Sequence, residues 1–583
     1  VRETVESIVI AFVLAFLFRT FEAEAFVIPT GSMAPTLMGR HKDVDCPKCG
    51  YRYQVSASEE ESDNVHRPRA NTIAGMCPIC QYVLPMAPNL PQEEPERRAE
   101  SEFHRSYNGD RILVNKYIYT FADPERWDVV VFKFPGDAQI NYIKRLVGLP
   151  RETLRIYQGD LFVAKQGASR DADFRIARKP AEKVLAMRQL VHDTNHDPAE
   201  LEAAGWPLRW QADGWRVEKE TDDSNIRQRY LVDAGDDKEA WLRYRHIAPT
   251  YEAWRLVNGA KEGQLARDPA LQAELASKQS ARLISDANPY NAREDDLRLS
   301  GQATLAISAD RQGVHWVGDL MVEANVEIES ADGQLLLDLV EGGRHFGCTI
   351  DLAKGEAALS AEGMRDYSPK AKTAIGGPGR HRVAFANVDD QLLLWVDGKL
   401  TSFEGGTGYD VDQVFGGRSE IVPRSSEEDP GDLAPAGVGA RGAKLAITRL
   451  RLWRDIYYIA DDWRHHPQRM GTNISDYDVP ADVAGLFRDP ARWGLFATRR
   501  HVEFPLADDQ FFVMGDNSAE SADARLWFGD TVRGGRPGGD YLERRLLIGK
   551  ALCVYWPHSW NRIPGTPIPF PLFPNVVDMR LVR

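Results

Sequence analysis

Short apolar runs broken by turn-forming pairs dominate the chain from residue 110 onward, which predicts a mainly β protein. Ile112-Leu113-Val114, Val129-Val130-Val131-Phe132, Leu154-Arg155-Ile156 and Leu161-Phe162-Val163 read as strands, with Gly-Asp turns between them. From 322 to 329 the order Val-Glu-Ala-Asn-Val-Glu-Ile-Glu alternates apolar and polar side chains, the period of a half-buried strand. Residues 391–400 read as a strand, an Asp397-Gly398 turn and the start of its partner, with Arg382-Val383-Ala384-Phe385 as a strand just before. Other textures interrupt this pattern. Residues 8–18 are unbroken apolar and extend to 5–21 if four polar residues are admitted, which predicts a membrane-spanning helix near the lower limit of about 20 residues. Residues 22–38 read as extended chain with Pro29 and Gly31 as turn formers, and 88–102 as a Pro/Glu-rich connector. Residues 170–295 are charged, with helical pieces expected at 181–191 and 238–244 and no fold assigned.

At 583 residues the chain exceeds what one ordinary core can hold, so several domains are expected. Its hydrophobic content of 43% is that of a folded protein. A net charge of −14 argues against a nucleic-acid partner, because phosphate binding needs a basic surface.

The first chemical candidate is Ser32, in Pro29-Thr30-Gly31-Ser32-Met33-Ala34-Pro35-Thr36-Leu37. A serine hydroxyl is a poor nucleophile until a base takes its proton. A lysine whose pKa burial has lowered to about 7–8 can be that base. Lys144, in Asn141-Tyr142-Ile143-Lys144-Arg145, lies far downstream, so only folding can join the two. Strand alternation sends Lys144 and Arg145 to opposite faces, and Lys133 and Arg145 read as ordinary solvated cations.

Further motifs follow in order: Gly109-Asp110-Arg111-Ile112-Leu113-Val114-Asn115-Lys116, then Asp128-Val129-Val130-Val131-Phe132-Lys133-Phe134-Pro135 running into Tyr142-Ile143-Lys144-Arg145-Leu146-Val147-Gly148-Leu149-Pro150. Near the end stands Gly515-Asp516-Asn517-Ser518-Ala519-Glu520-Ser521-Ala522-Asp523-Ala524-Arg525. This ordered set resembles the bacterial type I signal peptidase (leader peptidase) family of membrane-bound Ser/Lys endopeptidases, over about 1–40, 106–165 and 500–570. The resemblance implies Ser32 as nucleophile and Lys144 as general base, with the Thr30 hydroxyl and the Ser32 N–H as oxyanion donors. It implies Ser521 orienting the lysine amine, an Asp523–Arg525 ion pair behind it, and Asp516 and Asn517 shaping the turn. It also implies catalysis without a cofactor, on signal peptides of preproteins cleaved after small residues. The substrate would pair with the serine-bearing strand by β-augmentation. A single-pass protein of the cytoplasmic (inner) membrane follows, touching lipid, with the catalytic domain extracytoplasmic. The chain departs from the family pattern at Ser518-Ala519-Glu520, where Arg-Asp-Asn is usual, and 526–529 read one residue long. The local support of the site is what this departure puts in question.

Cys46-Pro47-Lys48-Cys49 and Cys77-Pro78-Ile79-Cys80 each match a knuckle that folds two thiolates onto a tetrahedral structural zinc. Their separation is longer than the usual ribbon spacing of about 15–20 residues. Disulfides are the competing reading, since the implied topology puts this loop in an oxidising space. Cys348 and Cys553 read as buried thiols. Residues 298–458 resemble a concanavalin A-like (laminin-G-like) jelly-roll sandwich, a source of glycan or protein binding. On its strand 322–329, Glu323, Glu327 and Glu329 share one face, as paired carboxylates of sandwich-fold glycosidases do, although polar outward faces are ordinary. His192-Asp193-Thr194-Asn195-His196-Asp197 looks metal-like but reads as a polar loop before Pro198.

The expected organisation is a transmembrane anchor at 1–21, and a peptidase core at 22–40 and 106–170 that resumes at 459–583. Into it are set a four-cysteine zinc-ribbon-like insertion at 41–105, an α/β insertion at 171–297 and the sandwich at 298–458. The expected function is that of a membrane-bound signal peptidase I. The alternatives are a degenerate, membrane-tethered binding protein that uses the sandwich, and a self-cleaving repressor-type Ser/Lys peptidase. Joint presence of Ser32, Lys144 and Ser521 argues against the first, and the acidic chain with an apolar anchor argues against the second.

Overall fold

The computed structural model describes residues 23–60, 70–86, 104–168, 170–221, 225–235, 238–260, 264–296, 307, 312–462, 474–529, 540–562, 569–573 and 575–583. The apolar run at 5–21 and the connector at 88–102 lie outside them. Among the described residues no helix is long and apolar enough to cross a membrane.

The two ends of the chain build one antiparallel sheet. In spatial order its strands are Ala23–Val27, Arg111–Asn115, Leu547–Trp556, Val129–Phe134, Asp137–Gly148, Gln510–Met514 and Leu542–Glu543. A C-terminal strand thus lies between two strands from the first quarter of the chain, and everything inserted between must loop out and return. Val129 and Val131 pack into one apolar cluster with Ile112, Val114 and Ile143, whereas Val130 and Phe132 pack into another with Leu146 and Phe512. Both faces of this strand are covered, which is why its sequence is a continuous apolar run rather than an alternation. A second sheet orders Arg175–Ile176, Asp160–Lys165, Glu152–Tyr157 and His501–Pro505.

The sandwich consists of a nine-stranded and a seven-stranded antiparallel sheet around one core, to which Val322, Phe385 and Leu394 contribute from one sheet and Leu337, Phe346 and Val438 from the other. The 391–400 hairpin forms as expected: Gln391–Val396 turns at Asp397 and Gly398, both with positive φ, into Lys399–Leu400. Two expectations for 171–297 change. Residues 238–244 are not helical. Ala240–Tyr244 is a strand that buries Ala240, Leu242 and Tyr244 at period two and pairs with Ala436–Arg441. The helix at 181–191 stops at Met187, because Gln189–Asp193 pairs with Lys444–Arg454. Strands Asn225–Asp233 and Ala240–Tyr244 add to opposite sheets of the sandwich, so the expected division at 298 cuts across both sheets.

The four cysteines sit at the turns of two hairpins. Cys46 and Cys49 join His41–Asp45 to Arg52–Ser56, and Cys77 and Cys80 join Asn71–Met76 to Val83–Pro85. Each hairpin gains a strand from elsewhere, Ser106–Tyr107 on the first and Arg293–Asp296 on the second.

Candidate functional site

Ser32 lies in a one-turn 3-10 helix, Gly31–Met33, just beyond the edge strand Ala23–Val27, and Lys144 lies in Asp137–Gly148. Folding brings Lys144 Nζ to 2.6 Å from Ser32 Oγ, with both side chains buried. The amine also donates to the Ile143 carbonyl at 3.1 Å and lies 5.3 Å from the centre of the Tyr142 ring. Burial is the main influence on Lys144. It pushes the pKa from the usual 10.5 down to about 8, with Arg525 adding to the drop and Asp523 and Asp516 opposing it.

Residues 516 and 517 connect the two halves of this pair. On the strand face opposite Lys144, Arg145 is fully buried, not solvated, and its guanidinium grips Asp516 at two points, 2.7 Å each. The neighbouring Asn517 donates its backbone N–H to the Ser32 carbonyl at 3.1 Å and its Nδ2 to the Gly31 carbonyl at 2.9 Å. One dipeptide therefore fixes the lysine strand through Arg145 and the serine turn through Asn517. Gly515 is required here by close approach, since a Cβ would run into the Ser32 carbonyl and the Ser521 side chain. Asp523 and Arg525 form a wholly buried two-point ion pair, Nε–Oδ1 and Nη2–Oδ2 both 2.8 Å, and Asp523 also accepts the Gly515 N–H.

Ser521 differs from expectation. Its Oγ is buried beside Gly515 but makes no hydrogen bond, so the contact to Lys144 is not made. The preceding turn is held from the other side. Ser518 Oγ accepts the Ile459 N–H at 2.9 Å, and Arg525 Nη2 donates to the Ser518 carbonyl at 2.8 Å. Thr30 is exposed at the start of the serine turn, with no capping hydrogen bond from its side chain.

Three residues that sequence reasoning missed hold the serine turn from the inserted segment. The Tyr290 ring packs on Gly31, where a Cβ would collide with it, and its hydroxyl donates to the Arg40 carbonyl at 2.8 Å. Asn288 Nδ2 donates to the Ala34 carbonyl at 3.3 Å. Asn291 and Asn517 exchange side-chain amide hydrogen bonds of 2.6 and 2.8 Å. The Asn-Pro-Tyr-Asn turn signal was visible at 288–291, but its partner was not.

The four ribbon cysteines are buried and unbridged, and one sulfur from each lies within 4.8 Å of the others. Cys46–Cys80 and Cys49–Cys77 sulfur separations are 3.5 and 3.6 Å. Ligands at the usual Zn–S length stand about 3.8 Å apart in a tetrahedron, whereas a disulfide needs about 2.05 Å. The residues fit a structural tetrathiolate zinc. Cys348 is buried as expected, but Cys553 is only half-buried.

The near-motifs resolve into internal hydrogen bonds and ion pairs. His192 Nε2 faces Asp197 Oδ1 at 2.9 Å, and Asp193 is gripped by Arg449. Glu323 is buried between Arg188 and Arg451, Glu327 meets Arg229 and Arg380, and Glu329 meets Lys444. Each carboxylate has its cation, as structural groups do.

Residues 93–204 match the family described as signal peptidase, peptidase S26; this span holds Lys144 but neither Ser32 nor 516–525. The chain is 48% identical over 59 residues to Signal peptidase I of Pseudomonas aeruginosa, covering 8% of this chain and 21% of that one. It is 38% identical over 78 residues to Probable signal peptidase I-2 of Synechocystis sp., covering 12% and 34%. The alignments thus span about a fifth to a third of the curated relatives' length. Among solved structures, galectin LEC-6 of Caenorhabditis elegans is 7% identical, covers 23% of this chain and 83% of that one, and has a TM-score of 0.17. The carbohydrate binding module CBM66 from Bacillus subtilis is 8% identical, covers 42% and 99%, and has a TM-score of 0.19. At such TM-scores neither likeness carries an argument, and the sandwich rests on its own strand pairing.

Proposed function

We propose that this chain is a signal peptidase I: a serine endopeptidase that removes signal peptides from preproteins through Ser32 and Lys144. The observation that carries the reading is the 2.6 Å approach of a buried lysine amine, with a pKa of about 8, to a serine hydroxyl. Neutral Lys144 takes the Ser32 proton as Oγ attacks the scissile carbonyl carbon. The oxyanion meets the Ser32 N–H, free as the first-turn amide of a short helix, and the Thr30 hydroxyl. The ammonium of Lys144 then protonates the leaving amine, and an acyl ester remains on Ser32. Lys144 next deprotonates a water, which hydrolyses the ester and restores both side chains. The Asp523–Arg525 pair supports the site from behind, through Gly515.

An extended substrate has an edge to join. Gln510–Met514 pairs with Asp137–Gly148 only from Arg145 onward, which among the described residues leaves the edge before Lys144 open beside the serine turn. Val27, Phe121 and Ile140 are exposed apolar residues around the same sheet and suit contact with lipid at the cytoplasmic (inner) membrane, on its outer side. The four cysteines would hold one structural zinc, which would cross-link the two hairpins and take no part in the reaction. The test is cleavage of a signal-peptide substrate by wild type, Ser32→Ala, Lys144→Ala and the double variant. Each single change lowers turnover by roughly 10⁴-fold or more with the circular dichroism unchanged, and the double variant is no worse. A Lys144→Ala enzyme near wild-type rate refutes the reading.

A further inference from the structure

Away from Ser32 and from the four cysteines, two imidazoles, a carboxylate and a carboxamide converge where the ribbon meets the C-terminal part of the chain. His41 and Asp43 are two apart on His41–Asp45 and so share a face, and Gln54 pairs directly across from Asp43 on Arg52–Ser56. His558 arrives just beyond Leu547–Trp556. His41 Nε2 lies 3.2 Å from His558 Nδ1, 3.1 Å from the Gln54 carboxamide nitrogen and 3.7 Å from Asp43 Oδ1. The Gln54 nitrogen is also 3.1 Å from Asp43 Oδ1. Nitrogen and oxygen ligands of a tetrahedral zinc stand about 3.4 Å apart, and these separations bracket that value.

The outer contacts orient the same atoms. His41 is wholly buried, with Nδ1 2.7 Å from the Gly39 carbonyl. A carbonyl oxygen only accepts, so Nδ1 carries the proton and Nε2 turns its lone pair into the cluster, as a metal-binding imidazole does. Arg52 binds Asp43 Oδ2 at 2.8 Å, which leaves Oδ1 to the cluster. His558 Nε2 is buried 2.7 Å from Asp43 Oδ2, and a proton held there toward the carboxylate leaves Nδ1 as the nitrogen that faces His41. Gln54 presents its oxygen instead of its nitrogen by a half-turn of the carboxamide, whose two ends have nearly the same shape. Asp43, Gln54 and His558 also line a cavity of about 490 Å³, which gives an ion an approach.

We propose that His41, Asp43 and His558, completed by Gln54, form a second divalent-metal site of the zinc class, which ties the ribbon hairpin to the C-terminal segment. It is independent of the chemistry assigned to Ser32 and Lys144. Zn²⁺ and Co²⁺ are the probes, on the full chain. After loading and dialysis the wild type retains two equivalents of zinc, whereas His558→Ala and Asp43→Asn each retain one. Cobalt-loaded wild type shows weak visible d–d bands of nitrogen and oxygen ligation beside the intense thiolate-to-cobalt charge-transfer band, and His558→Ala keeps only the thiolate features. The wild-type spectrum needs no variant to fold: a pure thiolate spectrum with one equivalent bound overturns the site. Two equivalents retained by a folded His558→Ala protein overturn it equally. In either case the contact is a His–Asp hydrogen-bond clasp without metal.

Discussion

The guanidinium of Arg145 and the carboxylate of Asp516 face each other in a fully buried, two-point pair, one residue along the strand from Lys144. Because successive residues of a strand point to opposite faces, the pair lies behind Lys144 and anchors the strand without touching the serine. The same turn reaches around through Asn517 to the Ser32 carbonyl. The separation of Ser32 Oγ and Lys144 Nζ is therefore set by a buried scaffold of charge and amide contacts.

Lys144 makes both activity and stability rise with pH, in successive windows. Its amine is neutral above about 8, so the acidic limb of kcat/KM falls about tenfold per pH unit below that value. A lysine whose folded pKa is depressed below 10.5 destabilises the fold wherever the unfolded chain holds the proton. Wild-type stability therefore rises between pH 8 and 10.5. Lys144→Met is expected to be inactive yet more stable by about 1–3 kcal/mol below pH 8, the gain vanishing above 10.5. Chemical denaturation across this range measures it, and a Met variant of unchanged stability at pH 7 contradicts it.

Asp516→Asn leaves the Arg145 guanidinium buried with one charge missing, and is expected to destabilise by about 3–5 kcal/mol. Replacing both with Met removes the charges together and loses much less. Thermal unfolding of the two singles and the double gives the coupling; additive losses would show that the pair does not act as one unit.

Gly31→Ala drives a methyl group into the Tyr290 ring, which displaces the serine turn. Activity is expected to fall at least tenfold while global stability changes little. Tyr290→Phe removes the hydrogen bond to Arg40 and loses about 1 kcal/mol. Gly31→Ala combined with Tyr290→Ala restores part of the rate; peptide kinetics with no recovery in the double variant would separate the two residues.

Excision of 298–458 strips Asn225–Asp233 of Lys444–Arg454 and Ala240–Tyr244 of Ala436–Arg441. Unpaired strands of this kind aggregate. The shortened chain is expected in the insoluble fraction, and a soluble, active product from this boundary would show that the strands at 225–244 fold without the sandwich.

Local pattern was enough to mark the Asp397-Gly398 hairpin, the two cysteine knuckles and the strands around Lys144. Each of those signals lies within about ten residues and reports the backbone directly: a turn that needs positive φ, a thiolate pair with two residues between, an apolar run covered on both faces. The sequence by itself thus determined a mainly β chain and named Ser32 and Lys144 as partners. Only the tertiary structure decided that Arg145 is buried on Asp516, that Ser521 stops short of the amine, and that Tyr290 and Asn291 brace the serine turn. It also turned 240–244 into a strand, because the edge of Ala436–Arg441 supplies hydrogen bonds that no local propensity encodes. Contacts between residues hundreds of positions apart depend on which surfaces meet after the loops close, and a side chain's charge or burial there is a property of its neighbours rather than of its own segment.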